Sequence, residues 1–232
     1  MLADLIVHSE SNISHVWRSM SFGGAPSLPL SDKLPSYETV RKMERLLRGS
    51  SCAVVGASSA LRACSAAKDI CKHDVVIHVN DHPEVLRVCP RVDIQVVNQY
   101  ACVLSQKKRQ VVTEGRPCKV TPSLFRLCTE WNPKHARRFA HQAWLSSGRI
   151  SEYTKQILQS RHGQRCCATA GGNAMALALK SCKDVTAFGL GGVNRTYFAK
   201  DRPSPRNIHN LQGEAEWLAF LDAYRQARVQ CI

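Results

Sequence analysis

The sequence predicts a single α/β domain with a Rossmann-like central sheet, mixed or parallel, that is flanked by helices. Two short apolar runs, residues 52–55 and 75–79, stop at Gly56 and Asn80, as buried parallel strands do. Residues 61–72 lie between the runs and can be helical, which completes a βαβ unit. With 232 residues, of which 44% are hydrophobic, the chain can bury one substantial core.

The other elements are predicted in chain order. Residues 19–35 are rich in Ser, Gly and Pro, so we expect an N-terminal extension over 1–35 and the folded domain over 36–232. A helix is predicted over 36–48, because apolar residues recur there at helical spacing and Gly49 follows. The same patterns predict strands over 94–97, 111–112 and 185–190, and helices over 137–145, 173–182 and 214–227.

The charge of the chain favours anionic partners. Lys and Arg number 32 against 18 Asp and Glu, a net charge of +14. A nucleic-acid-binding module is one interpretation. However, the basic residues are scattered, and the densest run, residues 107–109, lacks the interleaved aromatic residues that single-strand binding uses. We therefore expect no nucleic acid partner and favour a surface that serves anionic nucleotide-sugars or glycans.

The eleven cysteines indicate an oxidising compartment. No Cys-x-x-Cys pair is followed by a second such pair or by a His pair, and Cys166 and Cys167 are adjacent, so a structural zinc site is not expected. The odd count leaves at least one thiol free or intermolecular if the others pair. Sequons at Asn12 and Asn194 are compatible with secretion. Residues 1–7 are apolar but interrupted by Asp4, which predicts neither a signal peptide nor a membrane span.

The turn that follows the first apolar run suits an anion. A strand ending at Gly56, with the small residues 57–60 opening the next element, lets backbone N–H groups approach a phosphate. The stretch lacks the Gly-x-Gly-x-x-Gly spacing of a dinucleotide site, and the second run ends in Asn80 rather than in an acidic residue. A purely structural βαβ turn is the alternative interpretation.

Three segments carry a more specific pattern. The first segment is Cys52-Ala-Val-Val-Gly56 running on to His73-Asp74 and Asn80; the second is Thr169-Ala-Gly171 running on to Ala178-Leu179 and Cys182; the third is His209 with Glu214 after four residues. In order and spacing they resemble the sialylmotifs L, S and VS of the family-29 sialyltransferases. Members of that family move sialic acid from CMP-sialic acid to a glycan hydroxyl.

The resemblance implies a role for each matching residue. His209 would be the catalytic base, because an imidazole that titrates near neutral pH can take the acceptor hydroxyl proton. Glu214 would orient or anchor its segment, and Cys52 and Cys182 would form a disulfide. The His-Tyr-Tyr-like stretch that aids the leaving phosphate corresponds to residues 196–198. The implied donor-binding residues are Gly56, Ser58, Asn80, Thr169, Gly171 and Tyr197. For His73, a structural role is as plausible as a site role.

The resemblance also implies a glycosyltransferase A-like sheet and an inverting reaction that needs no metal or cofactor, since a monophosphate leaving group needs less charge neutralisation than a diphosphate. It implies a Golgi location, a CMP-sugar donor and a glycoprotein or glycolipid acceptor, with acceptor specificity encoded in residues 85–165. Ala57 and Thr196 stand where the family has Asn and His. An impaired relative, or a transferase for another CMP-activated acid sugar such as Kdo, is therefore the alternative.

Overall fold

The structure is a computed structural model of the chain. It describes residues 35–80, 85–98, 125–130, 144–145, 153–154, 156–158, 169–190, 196–197, 200–203 and 211–231, with the backbone alone for 98, 125–130, 144–145, 196–197 and 200–203. In chain order the elements are α1 (Tyr37–Leu47), β1 (Ser51–Val55), β2 (Val75–Val79), β3 (Ile94–Asn98), β4 (Phe125–Glu130), β5 (Trp144–Leu145), α2 (Ala170–Ser181), β6 (Asp184–Phe188), β7 (Thr196–Tyr197), β8 (Lys200–Pro203), α3 (Leu211–Ala223) and β9 (Arg228–Gln230).

The central sheet has seven strands in the order β5-β4-β3-β2-β1-β6-β9. Every pairing within it is parallel, whereas β7 and β8 form a separate antiparallel pair. The predicted α/β fold is confirmed, and of its mixed and parallel forms the central sheet takes the parallel one. Strand order reverses between β1 and β6. In open parallel sheets, such a reversal opens a crevice at the carboxyl ends of the strands, where ligands bind.

Both faces of the sheet are covered. On one face, Val54 and Ile77 pack against the helices in a cluster that includes Met43 of α1, Met175 of α2 and Trp217 of α3. On the other face, the strands pack against short 3₁₀ helices in a second cluster, which contains Val55, Val76, Phe188, Leu61 and Ile70. Because each fully buried aliphatic side chain contributes about 1.5 to 3 kcal/mol, these two layers hold the strand ends in fixed positions.

Two helices illustrate how local sequence sets element ends. α1 begins after Ser36, whose hydroxyl accepts a hydrogen bond from the Thr39 N–H at 3.2 Å, and the chain leaves the helix through Gly49 at φ +84°. α2 begins after Thr169, whose hydroxyl accepts from the Gly172 N–H at 3.2 Å. The first nine residues of α2 are all buried, because small side chains let the helix lie close to the sheet.

Several predicted bounds were wrong. Residues 61–72 form two 3₁₀ helices, Ser59–Arg62 and Ser65–Lys72, rather than an α-helix. Cys64 separates them and is tied by a disulfide, which interrupts a continuous helix. Residues 144–145 are a strand although they were predicted to end a helix; the rest of that predicted helix and the predicted strand 111–112 lie outside the described residues.

Other differences concern the ends of elements. α2 begins at Ala170, three residues earlier than predicted, because Thr169 rather than a later residue caps it. β6 ends at Phe188 rather than at residue 190, because Gly189 takes φ +59°. α3 starts at Leu211 and ends at Ala223, because Arg225 at φ +54° turns the chain into β9. The strands β4 and β9 were not predicted.

Three disulfides link described residues. Cys52 of β1 bonds Cys182, which follows α2, with a Cα–Cα distance of 6.1 Å, so the pairing implied by the resemblance is confirmed. The pairs Cys64–Cys231 and Cys71–Cys89 were not predicted. The first bond links β1 to the end of α2, and the other two link the 3₁₀-helical segment to Cys231, after β9, and to Cys89, before β3. Within the described part of the chain, no helix combines the length and apolar character that crossing a membrane requires.

Candidate functional site

The turns after β1 and β6 are in direct contact at the carboxyl edge of the sheet. The Gly56 N–H donates to the Phe188 carbonyl at 2.8 Å, and the Ser58 N–H donates to the Gly189 carbonyl at 3.3 Å. A Cβ on Gly56 would lie 2.3 Å from the Gly189 oxygen. Glycine is therefore required at position 56 by the close approach of the neighbouring turn, and both N–H groups are used within the protein.

Leu190 fills the space between the first and second segments. Its Cδ2 atom would lie 2.6 Å from a Cβ on Gly56 and 3.1 Å from a Cβ on Gly171. Leu190 is 4% exposed, so it packs in this position rather than extending into solvent. The two glycines that were predicted to bind the donor are thus joined through one apolar side chain at the point where strand order reverses.

Glu214 connects the third segment to the second. Its carboxylate accepts hydrogen bonds from the backbone N–H of Thr169 and, at 2.8 Å, from the Thr169 hydroxyl. Glu214 is 6% exposed and belongs to the first turn of α3. A buried carboxylate is costly unless it is hydrogen-bonded, and here it lies beside the positive ends of two helices, α2 and α3. The contact fixes the start of α3 against the start of α2.

A small recess of about 10 Å³, roughly the room that one water molecule needs, lies beside this contact. It is lined by Thr169, Gly171, Gly172 and Met175 of the α2 region, by Leu190, and by Glu214, Trp217 and Leu218 of α3. The first N–H groups of α2 have no partner within the helix, as at any helix start. The recess therefore combines apolar walls with a helix start and one buried carboxylate.

Asn80 lies at the same edge, immediately after β2. Because Val55 pairs with His78, Asn80 comes two residues beyond that pair on β2, as Ala57 does on β1. Asn80 has φ +60°, a left-handed conformation that Asn adopts more readily than most residues. Its N–H donates to the Val96 carbonyl at 2.7 Å. Ser58, the remaining predicted residue of the first segment, caps the 3₁₀ helix by accepting from the Ala60 N–H at 3.3 Å.

His73 and Asp74 lie at the opposite, amino edge of the sheet. The His73 ring contacts the Asp69 carbonyl through Nδ1 at 3.1 Å and the Thr186 hydroxyl through Nε2 at 3.0 Å, which favours the structural interpretation. Asp74 accepts from the Ser51 N–H and hydroxyl, both at 2.8 Å. Those hydrogen bonds, the backbone one first, hold the pKa of Asp74 below its ordinary value.

Four of the predicted catalytic and donor-binding residues, Ser58, Asn80, Tyr197 and His209, are not brought to the recess by any described contact. Tyr197 belongs to β7, of which only the backbone is described, and His209 lies outside the described residues, two positions before α3 begins. Among the residues that the structure does describe, no three His, Cys, Asp or Glu side chains are grouped as metal ligands.

Sequence reasoning missed Gln95, whose side chain reaches Asn80 at the carboxyl edge of the sheet. The side chain of Gln95 is 7% exposed, and its Nε2 donates to the Asn80 carbonyl at 3.0 Å. A polar residue inside the apolar run Ile94-Gln95-Val96-Val97 was the signal available. It could not be interpreted without the pairing of β2 with β3, which sets Gln95 opposite His78.

Comparison with solved structures identifies the fold. The crystal structure of a mammalian sialyltransferase matches with a TM-score of 0.56 and 15% identity, over 97% of this chain and 89% of that chain. A mammalian sialyltransferase in complex with Gal-beta-1-3GalNAc-ortho-nitrophenol matches with a TM-score of 0.55 and 14% identity, over the same shares. No protein-family model and no curated protein sequence matches the chain. The chain therefore has the fold of sialyltransferases.

Proposed function

We propose that this protein is a glycosyltransferase of the sialyltransferase type, which transfers sialic acid from CMP-sialic acid to a glycan hydroxyl with inversion and without a metal. One observation carries the proposal. The three segments that resemble sialylmotifs are far apart in sequence, yet residues from each meet at the carboxyl edge of the sheet. Gly56 packs through Leu190 onto Gly171, and Glu214 bonds Thr169 at the start of the same helix.

The location of this meeting point supports the proposal independently of the motifs. It coincides with the reversal of strand order between β1 and β6, where open parallel sheets bind nucleotides and related ligands. The fold shared with sialyltransferases and the Cys52–Cys182 disulfide agree with it. A structural βαβ turn alone would account for Gly56, but it would give no reason for Glu214 to cap α2.

The proposed reaction assigns a step to each group. His209 takes the proton of the acceptor hydroxyl while its oxygen attacks the anomeric carbon of sialic acid. The bond from that carbon to the phosphate oxygen breaks on the opposite side, and CMP leaves with the bonding electron pair. Tyr197 donates a hydrogen bond to the departing phosphate. Glu214 sets the position of the segment that carries His209.

The contacts at the edge refine the proposed donor site. Because the Gly56 and Ser58 N–H groups donate to β6 and its turn, these residues shape the crevice rather than hold the phosphate. The Thr169 hydroxyl is likewise engaged by Glu214. Within the described part of the chain, the first N–H groups of α2, at Ala170 and Gly171, are the backbone donors that remain for a donor carboxylate or phosphate. Asn80 supplies the side-chain amide.

Release of CMP tests the proposal. The purified chain is incubated with CMP-sialic acid, with and without a glycan acceptor, and free CMP is quantified. Gal-beta-1-3GalNAc is the first acceptor to try, since a mammalian sialyltransferase with the same fold was solved with a derivative of it. We expect CMP release that the acceptor accelerates, and a product one sialic acid heavier than the acceptor.

Controls separate the proposal from its alternatives. CMP-Kdo is tested beside CMP-sialic acid, because preference for it would identify a transferase for another acid sugar. Variants Ala57→Asn and Thr196→His restore the residues that the family carries at those positions. Activity that emerges only in these variants would favour an impaired relative. A folded protein that releases no CMP from any CMP-sugar, with or without these changes, would exclude the proposed function.

A further inference from the structure

Gln95 is a polar exception in the interior of the sheet. Its neighbours on β3, Ile94 and Val96, are fully buried and apolar, and Gln95 itself is 7% exposed. Burying an amide costs free energy unless its hydrogen-bonding groups are satisfied, so a buried Gln calls for a reason in the fold or in the function. Its Nε2 donates to the Asn80 carbonyl at 3.0 Å, across the pairing of β3 with β2.

Both backbone groups of Asn80 are held by β3. Its N–H donates to the Val96 carbonyl at 2.7 Å, and its carbonyl accepts from Gln95. The first bond fixes the peptide before Asn80, and the second fixes the peptide after it. With both peptides fixed, the left-handed conformation at φ +60° is fixed as well. The direction in which the side chain leaves the backbone follows from that conformation.

We propose that Gln95 is a positioning residue for the donor site: it holds Asn80 so that the Asn80 amide meets the CMP-sugar. The inference rests on the proposed function, because it assumes that Asn80 contacts the donor. Gln95 touches neither the donor nor the reacting atoms in this account. It acts through the Asn80 backbone alone, and it favours donor binding rather than the chemical step.

The variant Gln95→Met tests this assignment, since Met has a similar length and lacks the N–H donor. We expect the KM for the CMP-sugar and the Kd for CMP to rise about fivefold, which is the effect of one ordinary hydrogen bond, with kcat unchanged. Gln95→Glu sets an acceptor opposite the Asn80 carbonyl and is expected to raise the donor KM further. If the Met variant does not fold, Asn80→Gly tests the same contact, and an unchanged donor KM and CMP affinity in that variant would overturn the inference.

Asp93→Ala is the matched control. Asp93 immediately precedes β3, and its carboxylate accepts a hydrogen bond from the Val76 N–H at 2.8 Å. Like Gln95, it therefore bonds the backbone of the β2 segment through its side chain, but at the amino edge of the sheet. Its loss is expected to lower the melting temperature and leave the donor KM unchanged. A purely structural role for Gln95 would give the same result as this control.

A double-mutant cycle completes the test. Asn80→Gly accepts the left-handed conformation without strain and removes the amide side chain. If Gln95 acts through that amide, Gln95→Met has no further effect on donor KM or CMP affinity in the Asn80→Gly background. Two results with an active wild type would overturn this inference and leave the proposed function standing. One is an unchanged donor KM in Gln95→Met, and the other is a double variant in which the effects of Gln95→Met and Asn80→Gly on donor KM multiply. A wild type that is inert and binds no CMP would overturn it together with the proposed function.

Discussion

The two edges of the central sheet are built on different principles. At the amino edge, Asp74 and Ser51 bond each other, His73 bonds Thr186, and Cys52 bonds Cys182. At the carboxyl edge, the turns touch through glycines and Leu190, and helix starts and a buried carboxylate line a small recess. Hydrogen bonds join neighbouring strands at both edges, but the carboxyl edge also brings the starts of two helices and a buried carboxylate beside a small recess.

This difference shows that one motif-like stretch of sequence can supply residues to both edges. The first segment begins with Cys52 near the amino end of β1, passes through Gly56, returns with His73 and Asp74 before β2, and ends at Asn80. The path follows the two strands, so its residues alternate between edges. Resemblance to a motif therefore does not imply a single role, and a residue's edge decides which role to test.

The largest effect is expected at the amino edge. Cys52→Ser removes a disulfide that spans 130 residues, which should lower the free energy of unfolding by about 2 to 5 kcal/mol. Cys71→Ser opens a loop of 18 residues, and loop entropy predicts a loss that is roughly 2 kcal/mol smaller. Denaturant titration measures both losses, and turnover per folded molecule should be unchanged in both variants.

Non-reducing peptide mapping checks the premise of this comparison. It should recover Cys52 joined to Cys182 from protein that is produced and purified under oxidising conditions. Free thiols at both positions would exclude the link. Equal losses of stability in the two variants would show that loop length does not govern the effect.

The next largest effect is expected on the rate of the proposed reaction. His209→Ala removes the proposed base and should lower kcat by about a hundredfold while donor KM stays nearly constant. The rate should also lose the dependence on pH that titration of an imidazole produces. Asn210→Ala, the adjacent position, is the control and should keep most of the activity. An active His209→Ala enzyme with an unchanged pH profile would contradict the assigned base.

Substituting alanine for the glycines that flank the two ends of β1 compares the two edges directly. Gly56→Ala sets a Cβ against the Gly189 oxygen, and the overpacking should cost about 1 to 3 kcal/mol and raise donor KM as the crevice shifts. Gly49→Ala meets no atom within 4 Å and is strained only by φ +84°, at roughly 1 kcal/mol. Equal donor KM in the two variants would show that the Gly56 turn does not shape the site.

Sequence patterns predicted the features that depend on neighbouring residues. The apolar runs ending at Gly56 and Asn80 predicted β1 and β2, and helical spacing predicted α1. Segments of four to eight residues do not distinguish 3₁₀ from α-helix, so residues 61–72 were assigned wrongly. The three-residue strand β9 is too short to have a period at all.

The site depends on contacts that no local pattern contains. Thr169 and Glu214 are 45 residues apart, and each looks like an ordinary helix-start residue by itself. The role of Gln95 follows from the register of β2 and β3, which the sequence leaves open. Resemblance supplied the pairing of Cys52 with Cys182, but it did not indicate that this bond lies at the edge away from the recess.

The smallest expected effect is a pH-dependent change in stability at the amino edge, at Asp74. The pKa of Asp74 lies below its ordinary value of 3.8, chiefly because the Ser51 N–H bonds the charged carboxylate. A lowered pKa in the folded state means that the stabilisation is complete above that ordinary value and is lost as pH falls through the folded pKa. The melting-temperature difference between wild type and Asp74→Asn should therefore be larger at about pH 6 than at about pH 2. Asp69→Asn is the control. The pKa of Asp69 is also lowered, but by an exposed ion pair with Lys72. Salt should screen that ion pair more than it weakens the hydrogen bonds from Ser51 to Asp74. A difference for Asp74→Asn that is constant with pH, or as sensitive to salt as that of Asp69→Asn, would contradict the account.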